Sequence, residues 1–210
     1  MKGFIFDLDG VIVSTDGLHY LAWKQMADKE GIYFDEQINN RLRGVSRMAS
    51  LEIVLERANR KYSDEEKQVL ATHKNDIYKE LLKSLTPNDI LPGVVDTLNV
   101  LRSRGYKLAI GSSSRNTPAI IKYIGLEGFF DAVSDGNNIT HSKPDPEVFI
   151  KAAQYLELEP SECYVVEDAK AGIDAGRAGG FTTFALGDAY GYEKADNSIE
   201  CFEHILQIAK

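Results

Sequence analysis

Phe4-Ile5-Phe6 followed at once by Asp7-Leu8-Asp9-Gly10 constrains this chain more than any other stretch. The apolar run reads as a buried strand. Such a strand tolerates two carboxylates only at its end. Period-2 geometry puts Asp7 and Asp9 on the same side of an extended backbone. Like charges held that close raise each other's pKa or recruit a cation. Taken alone, the stretch also reads as a solvated strand-to-turn junction, because Asp and Gly are ordinary turn residues. The remaining two hundred or so residues decide between the two.

After the strand comes a loop, Val11 to Gly17, and then helical periodicity from about Leu18 to Gly31. Further helices are expected over about 35–43, 46–60 and 63–84. Ser46 is placed to cap one, and Ser63 with Glu66 fits a capping box on the next. No strand is expected between residues 15 and 86. From Leu91-Pro92-Gly93 onward the period changes. Helices are expected at Val94 to Arg104, Asn116 to Ile124, Asp145 to Leu156, Ala169 to Ala178 and about 199–208. Strands are expected at Lys107 to Gly111, Phe129 to Ser134, Tyr164 to Val166 and Phe181 to Leu186. This alternation implies a parallel sheet with helices on its faces, and such sheets bind ligands at the carboxyl ends of their strands. Those ends carry Asp7/Asp9, Ser112–Ser114 and Glu167/Asp168. The helical stretch reads as a cap inserted after the first strand, giving a core of 1–14 and 88–210 and a cap of 15–87.

Composition removes several function classes. Lys and Arg number 24 against 32 Asp and Glu, a formal charge of −8, which argues against broad nucleic-acid or membrane-surface binding. Cys163 and Cys201 lack metal-ligand spacing and read as reduced thiols. No signal peptide opens the chain and no apolar run approaches the roughly 18 residues of a membrane span, so a cytoplasmic protein is expected. Nothing in the sequence demands more than a monomer.

The strand-end residues form an oxygen-rich set. Asp7, Asp9 and Asp168 suit a hard cation such as Mg²⁺, with Glu167 ligating it or orienting a water. Hydroxyls and N–H groups after the Lys107–Gly111 strand suit a phosphate. Lys143, in Ser142-Lys143-Pro144-Asp145, is placed to neutralise a carboxylate and a phosphoryl group. An Asp can attack phosphorus and form an aspartyl-phosphate, and a second Asp two residues on can move the proton.

Phe6-Asp7-Leu8-Asp9-Gly10-Val11, Ser112, Lys143-Pro144 and Glu167-Asp168 resemble the four signature motifs of the haloacid dehalogenase-like phosphotransferases, in order and across the chain. The resemblance implies a Rossmann-like α/β core with helices on both faces and an inserted all-helical cap. It makes Asp7 the nucleophile and Asp9 the acid/base, with Asp9 also offering its carbonyl to Mg²⁺. Asp168 completes the metal site, and Ser112 and Lys143 serve catalysis. Further stretches resemble the sugar-phosphate mutases of that family: His19 to Lys24, Arg43-Gly44-Val45-Ser46-Arg47, Lys74-Asn75-Asp76 and Ser112 to Asn116. That resemblance implies that Arg47 in its loop grips the phosphate distal to the reaction, and that Ser114, Arg115 and Asn116 hold phosphate on the core side. His19 with Lys74 then couples cap closure to the acid/base, Thr15 lies on the hinge, and Trp23 packs the cap or walls the sugar site. Arg115 stands where Lys is more usual, which keeps the charge and adds a bidentate fork.

The implied substrates are small sugar phosphates, β-D-glucose 1-phosphate and 6-phosphate. One Mg²⁺ per chain and β-D-glucose 1,6-bisphosphate as activating intermediate go with them. Two alternatives stand beside this: a sugar-phosphate phosphatase with the same nucleophile, and a non-catalytic sugar-phosphate sensor, against which the intact Asp7/Asp9 pair argues. Read one at a time, His19, Arg47 and Lys74 are also ordinary polar residues of exposed helix faces.

Overall fold

A computed structural model describes residues 2–42 and 46–209. Contacts divide the chain into two compact units, residues 1–14 with 86–210, and residues 15–85. Thr86 and Pro87 go with the first unit. The Thr86 hydroxyl accepts from the Asn88 N–H at 3.3 Å, and the Asp89 carboxylate accepts from the Thr86 N–H at 2.7 Å. This closed turn begins the return to the sheet.

In chain order the elements are β1 (Gly3–Phe6), α1 (Asp16–Lys29), α2 (Glu36–Asn40), α3 (Arg47–Leu55), α4 (Asp64–Leu82), α5 (Val94–Ser103), β2 (Lys107–Gly111), α6 (Thr117–Tyr123), β3 (Ala132–Ser134), α7 (Glu147–Tyr155), β4 (Cys163–Glu167), α8 (Lys170–Ala178), β5 (Thr182–Ala185), β6 (Asn197–Ser198) and α9 (Ile205–Ile208). The strands form one sheet in the order β3-β2-β1-β4-β5-β6, every pair parallel. Phe4 and Phe6 are fully buried on one face, stacked on each other at 5.6 Å, with Phe202 5.5 Å from Phe6. Ile5 points to the other face, into a cluster with Val148, Phe149 and Ala152 of α7 and Ala175 of α8. The buried alternation explains why β1 is apolar at every position: both faces are covered by helices.

The second unit is all helical among its described residues, with Trp23, Met26, Phe34, Leu51, Val54 and Leu70 in one core cluster. Its caps follow the sequence. The Ser46 hydroxyl accepts from Ala49 N–H at 3.3 Å, and Ser63 and Glu66 form a reciprocal capping box.

Several element boundaries differ from the sequence expectation, each for a local reason. α1 begins at Asp16, two residues early, where the Asp16 carboxylate accepts from Asn39 Nδ2 at 3.4 Å. β3 begins only at Ala132, because the Asp131 carboxylate accepts the Leu108 N–H at 2.7 Å and takes it from the ladder. The segment expected as a helix over about 199–208 holds a 3₁₀ turn at Phe202–His204 and the short α9, and β6 lies just before it. The Asp196 carboxylate accepts from Thr183 N–H at 2.8 Å and Thr183 hydroxyl at 3.0 Å, which lays this segment beside β5. No helix of the described residues is long and apolar enough to cross a membrane.

Candidate active site

The sheet order runs outward from β1 in one direction through β2 and β3, and from β4 in the other through β5 and β6. β1 and β4 therefore flank the point where the winding reverses, the place where doubly wound sheets bind ligands. Asp7 leaves the end of β1 there, and Glu167 and Asp168 leave the end of β4. The backbone ties the two ends together, Asp7 N–H donating to Val166 O at 2.9 Å.

Lys143 joins the carboxylates. Its ammonium lies 2.5 Å from Asp7 Oδ1 and 2.5 Å from Glu167 Oε1, with the Phe149 ring centre 4.6 Å away. All three side chains are buried, Glu167 almost completely. Burial pulls the ammonium's pKa down, but the Asp7 and Glu167 carboxylates outweigh that and hold it above the ordinary value. Burial raises Glu167, with Lys143 opposing. Its second oxygen accepts from Ala169 N–H at 2.8 Å. Asp168 is pushed up to about 9 by burial and by the charges of Glu167, Asp7 and Asp9. Asp9 therefore acts on the same cluster, half-buried just past β1.

Two glycines make this crowding possible. Gly10 turns the chain after Asp9 at φ 80°, and a Cβ there would run into the Asp168 carboxylate. A Cβ at Gly172, in the first turn of α8, would run into the Glu167 carboxylate.

The donor set fits a hard divalent cation. Asp7, Glu167 and Asp168 each offer an oxygen, all within 4.8 Å of one another. With all three ionised, the carboxylates would exceed the single ammonium by two negative charges, which a divalent cation balances; without one, that crowding keeps a proton on Asp168. A second group, His141, Asp145 and Glu147, has comparable spacing but a different character. Glu147 is drawn down to about 2 by its bond to Lys151 and by backbone N–H groups. Its oxygens are already engaged by Lys151 at 2.7 Å and by the Thr140 and His141 N–H groups at 2.9 and 2.7 Å.

Ser112 follows β2 and is buried, its N–H donating to Ser134 O at 3.1 Å. The loop bonds to itself: Ser112 Oγ accepts from Ser114 N–H and Ser114 Oγ from Asn116 N–H, both at 3.2 Å. Two N–H groups expected to face a phosphate are thus held by hydroxyls within the loop. Arg115 is exposed, with its Nε donating to Gly136 O at 3.1 Å, and Asn116 is buried at the start of α6.

The helical unit carries its own polar cluster. Lys74, 2% exposed, lies 2.8 Å from His19 Nδ1, 4.9 Å from the Trp23 ring centre and 4.6 Å from that of Tyr78. His19 stacks on Tyr78 at 4.0 Å, and the Tyr78 hydroxyl donates to Thr15 Oγ1 at 2.9 Å. Burial, then the charges of Lys74 and Arg47, hold the His19 imidazole well below its ordinary pKa. A neutral ring accepting Lys74's proton at Nδ1 carries its own proton on Nε2. Trp23 is buried in the unit's core, beneath the ammonium. Arg47 opens α3 and Ser46 caps it, while the expected substrate-loop residues Arg43, Gly44 and Val45 lie outside the described residues.

Sequence reasoning missed three participants: Phe149, Tyr78 and the turn after β3. Phe149 and Tyr78 are aromatic residues within expected helices, with nothing in the pattern to single them out. For Asp135-Gly136-Asn137-Asn138 the one available signal was its position after an expected strand.

The haloacid dehalogenase-like hydrolase family matches residues 1–180. A β-phosphoglucomutase of Bacillus subtilis is 43% identical over 91% of this chain and 84% of its own. The fructose-1-phosphate phosphatase YqaB of Escherichia coli is 35% identical over 85% of this chain and 92% of its own. The crystal structure of β-phosphoglucomutase from Clostridium difficile superposes with a TM-score of 0.89 at 38% identity, covering 99% of this chain and 96% of that one. With the strand-end carboxylates in place and the match running over most of its length, the chain belongs to the haloacid dehalogenase-like family.

Proposed function

We propose that the protein is a β-phosphoglucomutase that interconverts β-D-glucose 1-phosphate and β-D-glucose 6-phosphate through β-D-glucose 1,6-bisphosphate. The 43% identity to the Bacillus subtilis mutase over 91% of the chain carries this reading. The geometry supplies the means: a buried carboxylate, Asp7, oriented by a buried lysine at the mouth of the sheet.

Asp7 attacks one phosphorus of the bisphosphate. The bond between that phosphorus and the sugar oxygen breaks, and the oxygen takes a proton from Asp9. Attack at the C1 phosphate releases glucose 6-phosphate; β-glucose 1-phosphate then binds, and Asp9 removes the proton from its 6-hydroxyl. That oxygen attacks the aspartyl-phosphate, Asp7 leaves as the carboxylate, and the bisphosphate so formed turns end for end for the next attack. Lys143 holds one Asp7 oxygen and offsets charge between nucleophile and phosphoryl group. Asp7, Glu167 and Asp168, with the Asp9 carbonyl, would hold one Mg²⁺, which when bound supplies positive charge beside the transferring group. Ser114, Arg115 and Asn116 of the core unit serve the remote phosphate; the resemblance assigns Arg47 the same role. A mutase needs this second anion site beside the one at Asp7 because each end of its intermediate carries phosphate.

The 35% identity to a fructose-1-phosphate phosphatase favours a second reading, in which water accepts the phosphoryl group. One assay separates them: β-glucose 1-phosphate with Mg²⁺ and a trace of the bisphosphate, read for glucose 6-phosphate and for inorganic phosphate. The mutase forms glucose 6-phosphate from the β anomer and not from the α. Inorganic phosphate accumulating in its place overturns the reading. Asp7→Asn lowers the rate by about 10⁴-fold or more, since the covalent step is lost.

A further inference from the structure

We propose that the loop after β3, residues 135–138, is the positioning element that sets Ser114 and Arg115 for the phosphate remote from Asp7. The inference rests on the reading that those two residues serve that phosphate. The loop and residues 113–116 are joined by bonds in both directions. Gly136 N–H donates to Ser114 O at 3.2 Å, and Arg115 Nε donates to Gly136 O at 3.1 Å. Asn137 Nδ2 donates to Arg115 O at 3.0 Å. Arg115 is thereby held at its backbone carbonyl and at the base of its guanidinium, which leaves the outer fork to a ligand.

The approach is too close for any side chain at 136. A Cβ added to Gly136 would stand 2.9 Å from Arg115 N and from Arg115 Cγ, and closer still to Ser113 O. A backbone oxygen cannot yield as a flexible side-chain end can. The loop in turn is stiff. Asp135 is 5% exposed and its carboxylate accepts from Asn137 N–H at 2.7 Å. Asn138 Oδ1 accepts from Ser134 hydroxyl and Asp135 N–H, both at 3.1 Å. Lys151 of α7 donates to Asn138 O, fixing the loop to the helix whose Phe149 lies beside Lys143.

The loop touches none of Asp7, Asp9, Lys143, Glu167 or Asp168 through these bonds. Disturbing it therefore weakens the grip on a second phosphate and leaves attack by Asp7 unaffected. The test uses hydrolysis of acetyl phosphate, which carries one phosphate, and its inhibition by β-glucose 1,6-bisphosphate, which carries two. In Gly136→Ala the inhibition constant rises about tenfold, as expected for misplacing a binding group by a fraction of an ångström. In Asn137→Ala, which removes one exposed amide and spares the fold, it rises about threefold, the worth of one hydrogen bond. In Asn137→Ala, kcat/KM for acetyl phosphate stays within about twofold of the parent. An unchanged inhibition constant in Asn137→Ala, or acetyl phosphate turnover falling in parallel with it, overturns the proposal. Formation of glucose 6-phosphate by the parent enzyme reads the mutase assignment separately, so the two failures are distinguishable.

Discussion

Among the described residues two lysines have buried side chains, one in each unit, in opposite settings. Lys143 lies between the carboxylates of Asp7 and Glu167. Lys74 lies against an imidazole and two aromatic rings. The first setting is anionic, and its lysine only reduces an excess of negative charge. In the second, burial and then the positive charges of Lys74 and Arg47 hold His19 neutral. The core unit thus gathers negative charge at its strand ends, whereas the helical unit buries a positive charge beside an imidazole.

Removing each lysine breaks the comparison at its strongest point. Lys143→Met leaves buried carboxylates without their counter-ion, and unfolding free energy falls by about 3–5 kcal/mol. Lys74→Met loses a hydrogen bond and two cation–π contacts, about 1–3 kcal/mol. Denaturant unfolding of the two variants without divalent cation checks the order. Equal losses would show that the carboxylates around Lys143 are not what makes it different. The pH sign for Lys143 comes from its raised pKa. Its contribution is fully present below the ordinary value of 10.5 and is lost only as pH rises past that toward the folded value.

The negative excess also predicts how the core unit takes up a cation. Asp168, raised to about 9, binds its proton more tightly in the folded chain than in the unfolded one. In the metal-free protein this group favours folding at low pH, and that contribution fades as pH climbs from about 4 through 9. A cation binds only by displacing the proton, so Mg²⁺ affinity strengthens as pH rises from 6 to 8, by up to about tenfold per pH unit. At a hundred times its dissociation constant, Mg²⁺ adds about 2.7 kcal/mol of stability, which a chelator removes. Titration calorimetry in buffers of different ionisation enthalpy reads affinity and proton release together. Affinity independent of pH, with no proton released, would separate Asp168 from the metal site.

The same contrast explains what could be read from the sequence. Asp7, Glu167 and Asp168 stood out because carboxylates at the ends of apolar strands have few ordinary uses, and parallel winding brings strand ends together. The covering of β1 by helices on both faces was legible in Phe4-Ile5-Phe6. Lys74 and His19 were harder: on a helix face each is unremarkable, and their meeting depends on how α1 and α4 pack. The late start of β3 and the course of residues 197–208 were not legible. They turn on single carboxylates, Asp131 and Asp196, that bond to backbone N–H groups of other strands. Nothing local marks an Asp for such a role. The contacts of Gly136 were hidden in the same way, since an Asp-Gly-Asn turn gives no sign of which backbone lies beside it.

The smallest effect tests the helical unit. His19 is neutral in the folded chain and titrates near its ordinary 6.5 in the unfolded one. Its depressed pKa gives stability that is present above about 6.5 and is lost as pH falls below it, because only the unfolded chain gains the proton. Each pH unit in that window costs at most about 1.4 kcal/mol. His19→Gln removes the titration and keeps a group that can accept from Lys74. The parent is therefore more acid-sensitive than the variant between pH 6.5 and 5.5, and the difference in their unfolding free energies narrows or reverses as pH drops. Lys143 and the Asp168 carboxylate are common to both proteins, so the core unit's titration cancels in the comparison. Parallel stability curves through this window would mean that His19 takes up its proton as readily in the folded chain as in the unfolded one. Neither burial nor the charges of Lys74 and Arg47 would then be depressing its pKa.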